Sequence, residues 1–133
     1  MYKKEIESIP NFCAVPFMNL NIDADGRTML CCVQDPVDLK TQSYHDYDNL
    51  EGLFNNAEFA KIRQEFLDNY QPTSCSTCFK LENSGVVSER QSRNQRYLQD
   101  TGIQVKEHSK HLPNSLDLRP SNRCNLKCRM CNP

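Results

Sequence analysis

The first regular alternation along the chain falls at residues 17–22, Phe-Met-Asn-Leu-Asn-Ile. Met18, Leu20 and Ile22 alternate with Asn19 and Asn21, which predicts a half-buried strand. Asp23-Ala24-Asp25-Gly26 then supplies a tight turn, because Asp-Gly tolerates the positive φ angles a hairpin needs. Residues 27–33 return as a second strand, and residues 34–52, with Pro36 and Gly52 among many polar groups, read as loop. The period then changes. Phe59, Ile62, Phe66 and Tyr70 recur at three- and four-residue steps, so a helix capped by Asn56 runs to about Tyr70 with one apolar face, and Pro72 stops it. A more polar helix is expected over about 87–99, with Gly102 just past its end. Residues 103–115 read as a connector, and Leu116-Asp117-Leu118-Arg119 as a short strand ended by Pro120. The class is α+β, with a β-hairpin and two helices in a small cysteine-rich region.

Composition changes this picture in one respect. Apolar residues are 38% of the 133 residues and there is no tryptophan. With a mean hydropathy of −0.72, apolar burial alone is expected to give a poor core. Another device should staple the chain, and eight cysteines are the candidates. Bound metal is therefore expected to hold the N-terminal region folded. Apolar runs are short, as at Leu30-Cys31-Cys32-Val33, which excludes a transmembrane helix and argues against a membrane partner. Sixteen basic against seventeen acidic residues give no global charge that points to nucleic acid. Residues 1–8 lack the apolar stretch of a secretory signal. A reducing, cytoplasmic setting is expected, where thiols serve as metal ligands or redox groups. His45, His108 and His111 lie in polar surroundings and read as solvated, as does the face carrying Arg90, Arg93 and Arg96.

The cysteines fall into two groups. Cys124-Asn-Leu-Lys-Cys128-Arg-Met-Cys131 has the spacing C-x3-C-x2-C. Structural zinc takes four ligands, usually as two separated pairs. Three thiolates this close suit three corners of a cubane cluster, leaving one iron without a protein ligand. A zinc knuckle whose fourth ligand lies elsewhere is the plainer reading. The stretch from Leu116 to Cys131 resembles the opening of the barrel in radical S-adenosylmethionine (SAM) enzymes. The resemblance implies a first strand running into a loop that holds a 4Fe–4S cluster on Cys124, Cys128 and Cys131. The open iron would chelate the amino and carboxylate groups of SAM. Where the family often has an aromatic residue before the last cysteine, this chain has Met130, which can still offer the cofactor a polarizable apolar contact.

The second group is Cys13 in Phe12-Cys-Ala-Val-Pro-Phe17, the adjacent Cys31 and Cys32, and the pair Cys75-x2-Cys78. This pattern resembles the twitch module, a shortened relative of the SPASM domain, which binds auxiliary iron–sulfur clusters in radical SAM enzymes. The module usually follows the barrel, whereas here it precedes it. An auxiliary cluster needs four of the five thiols. Across an even-length hairpin loop, Cys31 shares the face of Leu20 and Ile22 while Cys32 lies with Asn19 and Asn21. Cys31 is assigned with Cys13, Cys75 and Cys78, and an odd-length loop would reverse the choice. Cys32 reads as a small buried hydrophobe.

Three regions are expected: residues 1–102 as a twitch/SPASM-like auxiliary region, 103–115 as linker, and 116–133 as the truncated start of a radical SAM barrel. A full barrel needs about 200 residues or more, so the chain reads as the N-terminal part of a longer enzyme. Its strand at 116–119 should await parallel neighbours from downstream and touch residues 12–90 little. Intact, the resemblance implies reductive cleavage of SAM to a 5'-deoxyadenosyl radical that abstracts hydrogen from a peptide or small-molecule substrate. An electron donor such as a flavodoxin or ferredoxin would serve it. No catalytic residue is identifiable. The competing reading is a non-enzymatic zinc module for protein or nucleic-acid interaction, supported mainly by Cys75-x2-Cys78.

Overall fold

In a computed structural model, residues 3–36, 42–99, 112–121, 123–126 and 128–129 are described. Pro16 sits in a 3-10 turn, Val15–Phe17, so the first strand starts later than the alternation suggests, as β1, Asn19–Ile22. Gly26 takes φ +87° in the following turn, and β2 returns over Arg27–Met29. Asn21 pairs with Met29 and Ile22 with Thr28. Five residues, 23–27, therefore separate the last paired positions, and the expectation of an even-length loop is overturned. Met29 faces the side of Asn21. β2 also stops at Met29, and the chain turns through Cys31, whose carbonyl accepts from Gln34 N at 3.2 Å.

β3, Gln42–Ser43, extends the sheet beyond β2 within the stretch read as loop. The same stretch holds α2, Leu50–Phe54, because the Asn49 side chain accepts from Gly52 N at 2.7 Å and caps it. Asn56 caps α3, Ala57–Leu67, by accepting from Phe59 N at 2.9 Å. Phe59, Ile62 and Phe66 are buried as their spacing requires, but the helix ends three residues early at Leu67. Asn69 adopts φ 62° and leaves Tyr70 66% exposed, so Tyr70 is not part of the apolar face. α4, Ser76–Asn83, was not anticipated after the Cys75-x2-Cys78 pair. α5, Glu89–Gln99, lies within the expected polar helix. A short α1, Lys3–Glu7, precedes them all.

β4, Ser115–Leu118, corrects the reading of a lone barrel strand. It pairs in parallel with β1 along its whole length, from Asn19 opposite Ser115 to Ile22 opposite Leu118. The sheet order is β3-β2-β1-β4. The strand expected to wait for a downstream barrel is thus an edge of the N-terminal sheet, in full contact with residues 19–22.

The expectation of a poor core also fails. All six phenylalanines are buried, and each contributes roughly 1.5–3 kcal/mol relative to exposure. One cluster joins Leu20 and Leu30 of the hairpin segment to Phe54, Phe59, Ile62, Phe66 and Phe79. A second gathers Ile6, Phe12, Phe17 and Tyr97 around the start of the chain, with Phe12 stacked 5.5 Å from Phe17. Arg63 enters this interior as a cation. Its Nε donates to Pro16 O and its Nη2 to Phe54 O, both at 2.7 Å, and it lies 4.2 Å over the Phe54 ring. Burial lowers its pKa to about 10, so it remains charged at neutral pH.

Candidate metal centre

Three separate segments bring four thiols to one cavity. Cys13 arrives on the loop before the Val15–Phe17 turn, and Cys31 on the turn after β2. Cys75 ends the 3-10 turn Thr73–Cys75, and Cys78 sits in the first turn of α4. All four line the cavity, walled otherwise mainly by apolar groups that include Leu30, Phe66 and Phe79. Cys31 reaches it because β2 has ended, not by the strand parity that assigned it. Cys32 is exposed, so its reading as a buried hydrophobe does not hold.

Hydrogen bonds fix each segment. Gln34, only 4% exposed, accepts from Leu30 N at 2.9 Å and donates to Ser74 Oγ at 3.1 Å. Asp35 N donates to Ser74 O at 2.7 Å. The Cys31 turn is thereby stitched to the residue before Cys75. On the other side α5 grips the Cys13 loop. Arg90 Nη1 donates to Pro10 O at 3.0 Å and Phe12 O at 2.8 Å, while Asn94 donates to Phe12 O and accepts from Ala14 N. Glu82 of α4 holds Arg90 through both carboxylate oxygens, at 2.9 and 2.5 Å. Arg90 is 9% exposed and lines the cysteine cavity, so it is no part of a solvated face. Gln34, Arg90 and Asn94 carried no local signal, since the partners of Arg90 and Asn94 in the Cys13 loop lie some eighty positions away.

Burial keeps Cys13, Cys31 and Cys75 protonated. It raises the Cys13 pKa well above the ordinary thiol value and pushes Cys31 and Cys75 up to about 12, with neighbouring cysteines adding to the effect. A metal cation reverses that preference, because its charge stabilises the thiolate that apolar walls disfavour. The backbone offers matching donors. The N–H of Val15 faces the Cys13 sulfur and that of Val33 faces Cys31. Leu126 N likewise donates to Cys124 Sγ at 3.3 Å. All three repeat the order cysteine, any residue, apolar residue, a signal the sequence did contain.

The sequence model of the SPASM iron–sulfur cluster-binding domain matches residues 13–79, from Cys13 to the residue after Cys78. The chain belongs to the SPASM iron–sulfur cluster-binding family. The SPASM match covers half of the chain and takes in all five N-terminal cysteines. No curated protein and no solved structure matches the chain. SPASM domains bind iron–sulfur clusters, and four thiols around one mostly apolar cavity supply the donor set such a group requires. The C-terminal triplet lies outside the match. Cys124 and Cys128 are exposed, and Cys131 and Met130 fall outside the described residues. His45 is exposed, its ring tilted 33° to that of Tyr44 with centroids 3.9 Å apart, whereas His108 and His111 are also outside the described residues. Among the described residues no helix is long and apolar enough to cross a membrane.

Proposed function

We propose that Cys13, Cys31, Cys75 and Cys78 together hold a 4Fe–4S cluster, as the auxiliary centre of a radical SAM enzyme. The carrying observation is their arrival from three segments at one largely apolar cavity. Cys124, Cys128 and Cys131 hold a second 4Fe–4S cluster that binds SAM, with Met130 against the cofactor. When bound, the clusters supply one-electron reduction of SAM. The chain's own groups do the rest. The Leu30, Phe66 and Phe79 walls exclude water, and the Val15 and Val33 amides donate to the sulfurs. The Glu82–Arg90 pair anchors the Cys13 loop. The cavity that the four thiols line is about 20 Å³, room for one water molecule, and it enlarges when the cluster enters. The partners are a peptide or small-molecule substrate and a flavodoxin- or ferredoxin-like donor, in the cytoplasm.

A mononuclear zinc module fits less well. Zinc draws thiolates to about 2.3 Å, and among the described residues no three such ligands are gathered tightly enough to hold one ion. Anaerobic reconstitution with iron and sulfide, followed by metal and sulfide analysis and electron paramagnetic resonance (EPR), tests the reading. Cys13→Ser and Cys31→Ser should each abolish the buried cluster, and Cys32→Ser should keep it. A colourless protein with one zinc, or loss on Cys32→Ser alone, overturns it.

A further inference from the structure

A second cavity, about 270 Å³, shares Val15 and Cys31 with the four-thiol cavity. One wall is α5, carrying Glu89 and Arg93; the other is the β1–β4 face, carrying Asn21 and Asp117. Its volume sits just below the usual range of small-ligand pockets. Arg93 and Asp117 stand on opposite walls, with Glu89 beside Arg93. Arg93 donates through Nε to Glu89 at 2.6 Å, and neither terminal nitrogen has a partner among the described residues. Asp117 uses Oδ2 for Asn21 and Arg119, at 3.2 and 3.0 Å, and its Oδ1 accepts nothing among the described residues. Asn21 is 2% exposed, and its amide donates to this half-exposed carboxylate from within the interior. The Asn19 amide in turn donates to Asn21 Oδ1 at 2.6 Å and Leu30 O at 2.9 Å, so the chain of bonds fixes where Asp117 points.

We infer that this cleft binds a small aminocarboxylate, with Arg93 taking the carboxylate and Asp117 the ammonium. A purely anionic ligand would meet Glu89 and Asp117, and a purely cationic one would meet Arg93; a ligand with both charges satisfies both walls. The planar guanidinium offers two parallel donors to a carboxylate, which gives the cleft an orientation as well as a charge preference. The ligand lies against the Cys31 side of the metal centre. That last placement rests on the proposed cluster, and the cleft itself does not.

The test is a titration of the reconstituted protein with L-alanine, propionate and ethylamine at pH 7, read by ligand-observed NMR and by EPR of the reduced cluster. L-Alanine should bind at least tenfold more tightly than either analogue, as expected for a lost charged hydrogen bond. Arg93→Gln should reduce alanine to the level of ethylamine, and Asp117→Asn to the level of propionate. Added alanine should shift the EPR signal. The inference is overturned if alanine does not bind, if one analogue binds as well, or if both variants bind alanine unchanged. Binding without an EPR shift overturns the placement beside Cys31. A preparation without iron and sulfide defeats the cluster reading, and the same NMR titration on that metal-free protein still decides the cleft.

Discussion

The two cysteine groups of this chain are built on opposite terms. Cys13, Cys31, Cys75 and Cys78 sit among buried phenylalanines, each segment tied to another element by hydrogen bonds. Cys124 and Cys128 are exposed, and the elements around them are one edge strand and a Leu126 amide. Compact spacing in sequence therefore says little about how firmly a site is held. The triplet spans eight residues, yet its Cys124 and Cys128 are exposed, whereas the quartet spans over sixty and lines one cavity. Firmness comes from tertiary contacts that distribute ligands over several elements.

The strongest way to break this contrast is to remove one ligand from each group. Cys75→Ala should eliminate the buried cluster and destabilise the protein by several kcal/mol, because metal-binding energy is folding energy where no site exists in the unfolded chain. Cys128→Ala should stay within about 0.5 kcal/mol, as surface changes do. Thermal melts with iron analysis decide it, and equal losses would erase the distinction. The metal-free protein should add a pH signature. Folded Cys31 and Cys75 have pKa values raised from 9.0 to about 12, so their contribution is complete below pH 9 and is lost as pH climbs towards 12. Ligation should remove that alkaline loss.

Arg90→Met should come next. It leaves Glu82 without its cation in a mostly buried place, a change that costs about 3–5 kcal/mol. The Cys13 loop should loosen and its iron should yield to chelator faster, while any iron on the triplet leaves at an unchanged rate. Arg90 and Ser88 hold the Glu82 carboxyl below its ordinary value. Its contribution is thus present above about pH 4.5 and fades as the solution is acidified through the folded pKa. Arg90→Met should abolish that acid dependence in urea melts.

Gln34→Leu should have a smaller effect than Cys75→Ala or Arg90→Met. It strands Leu30 N and frees Ser74, at about 1–3 kcal/mol. Cluster loading should slow without being lost. A variant that loads at the native rate would show that the Cys31 turn holds its shape without the bridge to Ser74.

Much of this architecture was legible from local pattern. The Asp25-Gly26 turn, the Asn56 cap and the Phe59–Ile62–Phe66 stripe each act within a few residues, so their spacing carries them. The SPASM match bears out the coarser reading of an iron–sulfur cluster-binding region. The failures share a different origin. Helix α2 depends on a single cap at Asn49 in a polar stretch, and α4 on residues whose apolar members are few. Hairpin parity turned on one extra residue in the loop, which reverses every face. The role of Arg90 depended on partners from α4 and from the start of the chain, where no periodicity points.

The parallel pairing of β4 with β1 has a consequence for how the chain acquires its shape. Asn21 and Asp117 stand 96 positions apart, whereas β2 and β3 lie close to β1 in sequence. Closing so long a loop carries the greater entropic penalty, and distant pairings form slowly. β4 is therefore the strand that docks last. During synthesis Cys13 through Cys78 are all made before Ser115. The quartet can mature on a three-stranded sheet, and the aminocarboxylate cleft closes only when β4 arrives.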